Sequence, residues 1–115
     1  MRSRFVIIAG LFAFALVGPV SRAQAQDDAV KKGQEVYAAQ KCSVCHSVAG
    51  KGAKANPLDG VGAKLSAADI RAWIVDPIAM AKKAGSTKKP PMPAKYGKLA
   101  AAELDALVAY MASLK

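Results

Sequence analysis

Cys42-Ser43-Val44-Cys45-His46 constrains this chain more than any other stretch. Two thiols three residues apart, with an imidazole directly after the second, form the attachment signature for c-type haem. On a helical turn, positions 42, 45 and 46 share one face, so two thioether bonds to the haem vinyl groups can place His46 beneath the iron. Such a chain folds around its cofactor. Zinc fits the same residues less well, because a structural site normally takes four Cys or His ligands and this chain offers three. A thioredoxin-like redox pair belongs beside a βαβ pattern, and no run of apolar strands accompanies these cysteines. A disulfide between Cys42 and Cys45 would close a very small loop and leave the only histidine without a role.

The N-terminus reads as a leader for export. Arg2 and Arg4 precede an apolar run over 5–17, broken only by Gly10 and ended by Gly18-Pro19. Ala23 and Ala25 are small residues at the two positions a signal peptidase reads, which predicts cleavage before Gln26. The two arginines are not adjacent, so the pattern favours unfolded export over the twin-arginine route. The apolar run falls short of the ~20 residues that span a bilayer, which speaks against a retained membrane anchor. Removing 1–25 takes three of the 17 Lys and Arg and none of the 8 Asp and Glu, leaving a mature charge of +6. The remaining 26–115 make one small domain, near the size where side chains alone give a marginal core. A covalent haem would supply the missing core.

Along the mature part, 27–40 lacks proline, begins with acidic residues and repeats Val30, Val36 and Tyr37, which predicts a first helix. Residues 47–64 are rich in Gly, Lys, Asn and Pro without periodicity and read as loop. Ser66-Ala67-Ala68-Asp69 resembles a capping box with Asp in place of Glu, and Ile70, Trp73 and Ile74 follow on one helical face. Asp76-Pro77 ends or kinks that helix, and 77–83 forms another short one. After a basic stretch at 85–89, Pro90-Pro91-Met92-Pro93 is stiff and extended. A last helix over 100–114 carries Leu104, Leu107, Val108 and Met111 at spacings of three and four, with Glu103 in its first turn. No strand, internal repeat or second haem signature is evident, so the expected fold class is all-α.

With CSVCH, a downstream PPMP loop and a closing helix containing LVAYM, the mature chain resembles a class I cytochrome c over nearly its whole length. The resemblance implies a small all-α fold with helices packed around one covalent haem and long loops at its edge. It implies that the first and last helices cross near a glycine and an aromatic, here Gly33 and Tyr37 against Leu107 and Tyr110; a glycine permits such an approach. Haem c would be joined through Cys42 and Cys45, with His46 as proximal iron ligand and Met92 as distal ligand. Met80 and Met111 are the rival methionines, but both stand at helical spacing and suit a core role. A thioether favours ferrous iron and a buried site disfavours added charge, so both raise the reduction potential. The Pro57 carbonyl is expected to accept a hydrogen bond from the second imidazole nitrogen and fix the ring of His46. Trp73 is expected to pack on the haem, its indole N–H available to a propionate or to backbone.

Lys82, Lys83, Lys88, Lys89, Lys95 and Lys98 bracket the Met92 loop, and Lys51 and Lys54 follow the haem signature. In the family such a basic ring steers the carrier onto acidic faces of reductases and oxidases, giving fast, salt-sensitive encounter. The expectation is a periplasmic, monomeric one-electron carrier, not an enzyme, working between redox proteins, with no nucleic acid partner and no stable membrane insertion. The alternative is a dedicated cytochrome subunit of a periplasmic dehydrogenase or oxidase. A sensor or peroxidase-type enzyme fits less well, since the one histidine is already used as proximal ligand.

Overall fold

The computed structural model describes residues 17–115. The basic start of the expected leader and nearly all of its apolar run, residues 1–16, lie outside the described residues. Five α-helices follow in order: α1 (Arg22–Ala39), α2 (Val61–Lys64), α3 (Ala67–Val75), α4 (Pro77–Lys83) and α5 (Ala101–Ser113). Two 3-10 turns, Cys42–Val44 and Ala94–Lys98, and a ribbon of two-residue strands, β1 (Ser47–Val48) and β2 (Lys51–Gly52), complete the elements among the described residues. The described residues are mostly helical, as the expected all-α fold class requires.

Helix α1 begins at Arg22, five residues before the expected start, because the Ser21 hydroxyl accepts from the Gln24 N–H and caps an orphan donor. Cleavage before Gln26 would remove that cap and the first turn, so the mature helix would open among its acidic residues. The other boundaries follow their sequence signals. Ser66 caps α3 by accepting from Asp69 N at 3.1 Å. The Asp69 carboxylate, one methylene shorter than the Glu of a capping box, accepts from the Ser66 hydroxyl at 2.9 Å instead of reaching the backbone. Asp76 closes α3 and caps α4 through Ala79 N at 3.1 Å, with Pro77 at the first helical position and fully buried.

The core lies where α1 crosses α5. A Cβ on Gly33 would overlap the Ala106 carbonyl and the Tyr110 Cβ, so only glycine lets the two backbones meet this closely. Tyr37 meets Tyr110 edge to face, with ring centroids 5.7 Å apart and planes at 81°. The residues facing Gly33 are thus Ala106 and Tyr110, four apart on one face of α5. Val36, Ile70, Ile74, Leu104, Leu107, Val108 and Met111 fill the space between α1, α3 and α5. An ion pair between Arg71 and Asp105 links α3 to α5 at the surface.

Two features depart from the expected loop at 47–64. The β1/β2 hairpin turns through Ala49 and Gly50, both at positive φ (50° and 76°), with Val48 paired to Lys51. Two-residue hairpin loops favour positive φ at both positions, and here Ala49 is held in it by Asp59, whose Oδ1 accepts the Ala49 N–H at 2.7 Å. Helix α2 is a single turn entered through Gly60 at φ 73°. It docks on the end of α5, where Gly62 N donates to Leu114 O at 2.8 Å. Strands of two residues and a helix of one turn are too short to leave a periodic signature. No helix among the described residues is long and apolar enough to cross a membrane.

Candidate haem site

The signature cysteines lie on a tight turn built by the backbone. Lys41 takes a left-handed conformation (φ 56°) that ends α1 and redirects the chain. The Cys42 carbonyl then accepts from Cys45 N at 3.2 Å and from His46 N at 3.0 Å, which gathers both thiols and the imidazole around one turn. The ribbon backs this turn. Ala53 N is shared by the Ser43 and His46 carbonyls at 3.1 and 3.0 Å, and Gly52 (φ 107°) passes so close that a Cβ would overlap the His46 carbonyl.

Two adjoining cavities open beside the turn. The inner one, 240 Å³, lies against the core and is lined by Leu58, Val61, Leu65, Ile70, Ile74, Leu107 and Met111. The outer one, 590 Å³, lies beneath 84–96, which contributes Pro90, Pro91, Met92 and Pro93. Cys42, His46, Trp73 and Met92 line both, so the two are halves of one slot. Met111 borders only the inner half and Met80 borders neither. Together the volumes fall in the ~300–1,000 Å³ range of cofactor-sized sites.

The residues present fit a haem. Both cysteines are free thiols, Cys42 half-buried and Cys45 exposed, and burial pushes the Cys42 thiol pKa up. The inner lining is apolar, as a porphyrin face requires. The Tyr37 hydroxyl, beside that lining, is buried without a hydrogen-bond partner among the described residues. Burial, followed by the nearby Cys42, raises the pKa of this phenol. Among the described residues no three His, Cys, Asp or Glu side chains stand together as a metal cluster, so the zinc reading finds no further donors.

The histidine is oriented by a carbonyl, but not the one expected. His46 Nδ1 lies 3.1 Å from the Asn56 carbonyl. A carbonyl can only accept, so Nδ1 is the donor in this contact and Nε2 is the ring nitrogen left to face a ligand. The expectation that Pro57 supplies this acceptor is therefore corrected to Asn56. The reason lies in the pairing of 56–58 with Ser47. Asn56 O accepts from Ser47 N at 3.3 Å and Leu58 N donates to Ser47 O at 2.8 Å, so both face His46 and Ser47. In an extended segment the intervening carbonyl of Pro57 turns the other way, and Pro57 itself is exposed.

Asn56 does more than carry that carbonyl. Its Nδ2 donates to the Cys45 carbonyl at 3.2 Å, and its Oδ1 accepts from Lys88 Nζ at 2.7 Å. Lys41, Lys88 and Lys95 border the outer cavity, with Val44 71% exposed beside them. Lys51, Lys54, Lys82, Lys83, Lys89 and Lys98 are exposed but line neither half of the slot.

The family model described as Cytochrome c matches residues 30–115. That is most of the chain, and it spans the cysteine turn, the proline loop and α5, so this protein belongs to the cytochrome c family. It is a haem-binding electron carrier with covalently bound haem c, for which Cys42 and Cys45 are its two thiols. Comparison with curated proteins and with solved structures gave no match.

Proposed function

We propose that this cytochrome is an exported one-electron shuttle whose haem iron is held between His46 and Met92, and which docks on acidic faces of redox proteins through its open haem edge. One observation carries the ligand assignment: His46 and Met92 are the imidazole and the methionine that line both halves of the slot. Bound haem supplies a reversible ferrous–ferric couple. The chain supplies the rest.

The Asn56 carbonyl fixes the His46 ring and increases its basicity. Met92 offers a neutral, soft sulfur, which favours the ferrous state. Pro90, Pro91 and Pro93 restrict the backbone around Met92, so little entropy is lost when a weak iron–sulfur bond forms. Trp73, Leu107, Ile70 and Ile74 give the inner half an apolar wall. At the outer face, Lys41 and Lys95 share the lining of the outer cavity with exposed Val44, so basic groups and an apolar spot border the same opening. Such an arrangement speeds encounter with an acidic partner without tight binding. With its single histidine on the iron, the chain has no distal imidazole for peroxide chemistry, which favours carriage over catalysis.

The test is Met92→Ala beside Met80→Ala. The first abolishes the far-red sulfur-to-iron band of the ferric protein and the second leaves it in place. Loss of the band in Met80→Ala alone overturns the assignment.

A further inference from the structure

Residues 89–92 make no backbone hydrogen bond among the described residues, so the loop that carries Met92 depends on anchors at its two ends. On the C-terminal side, Tyr96 packs against the core, and Gly97 lets the 3-10 turn lie on α3, where a Cβ would come 2.9 Å from the Val75 carbonyl. On the N-terminal side, Ser86 N donates to Ala81 O at 2.9 Å and anchors the chain to α4. Lys88 reaches across the outer cavity instead. Its Nζ donates to Asn56 Oδ1 at 2.7 Å and to the Ala55 carbonyl at 3.1 Å. These contacts join segments 32 and 33 residues apart in sequence. The shorter ends on Asn56, whose carbonyl orients His46 and whose amide holds Cys45.

We propose that Lys88 is a positioning residue that clasps the Met92 loop to the loop orienting His46, so that one contact sets both the strength of methionine coordination and the reduction potential. The proposal rests on the His46/Met92 reading. Its physics is tethering. A loop held at Lys88 spends more of its time with the Met92 sulfur near the iron, which raises the effective concentration of that ligand. The ammonium also places a positive charge on the polar group next to His46, and such a charge disfavours the ferric state. Both effects raise the potential, and both vanish with the side chain.

The test titrates the ferric holoprotein with imidazole, which competes with Met92, while the far-red band is followed and the potential is measured. Lys88→Met binds imidazole about threefold to tenfold more tightly, the scale of an exposed charge-assisted hydrogen bond, and its potential falls. Lys88→Arg keeps both values near native. Asn56→Ala retains the backbone carbonyl for His46 and the Ala55 acceptor but removes the shorter of the two Lys88 bonds, so it shows part of the same tightening, and Lys88→Met adds less to it than to the native protein. Equal imidazole affinity and potential in native and Lys88→Met proteins overturn the proposal, as does a full Lys88→Met effect in the Asn56→Ala background. If the native protein lacks the far-red band, the His/Met reading fails before any variant is made, and the clasp falls with it.

Discussion

Where α1 crosses α5, the chain is held by close packing: the Gly33 backbone against that of Ala106, Tyr37 against Tyr110, and a continuous apolar set from Val36 to Met111. Around the slot the order comes from single hydrogen bonds, Asn56 to His46, Asp59 to Ala49 and Lys88 to Asn56, strung between segments with little regular structure. The first region resembles an ordinary helical core. The second is a mould, and its stability comes from what fills it. A small domain can therefore spend many of its residues on loops, provided a covalent group stands where a larger protein would place more side chains.

The widest break between the two regions comes from replacing both cysteines with serine. Without covalent haem, residues 40–66 and 84–99 exchange their amide protons fast, while α1 and α5 near Gly33 keep the slowest exchange in the chain. Hydrogen exchange of both forms checks this, and uniform loss of protection would erase the distinction. Next comes Leu107→Ala, since Leu107 is buried in the helix crossing and also lines the inner cavity. It costs about 2–5 kcal/mol in denaturant unfolding and also perturbs the haem spectrum. Gly33→Ala sharpens the contrast because it strains only the crossing. A loss of about 1–3 kcal/mol from overpacking, with an unchanged haem spectrum, is the expected result.

The smallest effect is alkaline. Burial is the first cause of the raised pKa of both Tyr37 and Tyr110, with smaller contributions from nearby acidic groups, above the ordinary value of 10.0. The folded protein thus holds these protons more tightly than the unfolded chain does. The associated stability is fully present below pH 10.0 and is lost as pH rises through the raised values. Melting of Tyr110→Phe from pH 8 to about 11 should show a shallower alkaline decline than the parent.

The helices of the core were legible because their signals are local. Ser66, Asp76-Pro77 and the spacing of Leu104, Leu107, Val108 and Met111 each act within a few residues, and α3, α4 and α5 lie within about a residue of where they place them. The start of α1 escapes the local signals at 27–40 because Ser21 caps the helix from inside the expected leader. The slot was legible only as chemistry: Cys42, Cys45, His46 and Met92 were named, and the structure brings them to one place together with Trp73. Asn56 was missed because its main act is performed by a backbone carbonyl that every residue carries, selected by the pairing of 56–58 with Ser47. Lys88 could be named as one of a set of lysines, but its partner lies 32 residues away and no local pattern singles it out.

We propose one haem joined through Cys42 and Cys45 and closed by His46 and Met92. The most direct test is the optical spectrum of protein matured with haem-attachment machinery, recorded ferric and ferrous and again after carbon monoxide. A low-spin c-type spectrum with the far-red methionine band and no carbon monoxide response is the predicted result. A high-spin ferric spectrum, or rapid carbon monoxide binding by the reduced protein at neutral pH, would contradict it.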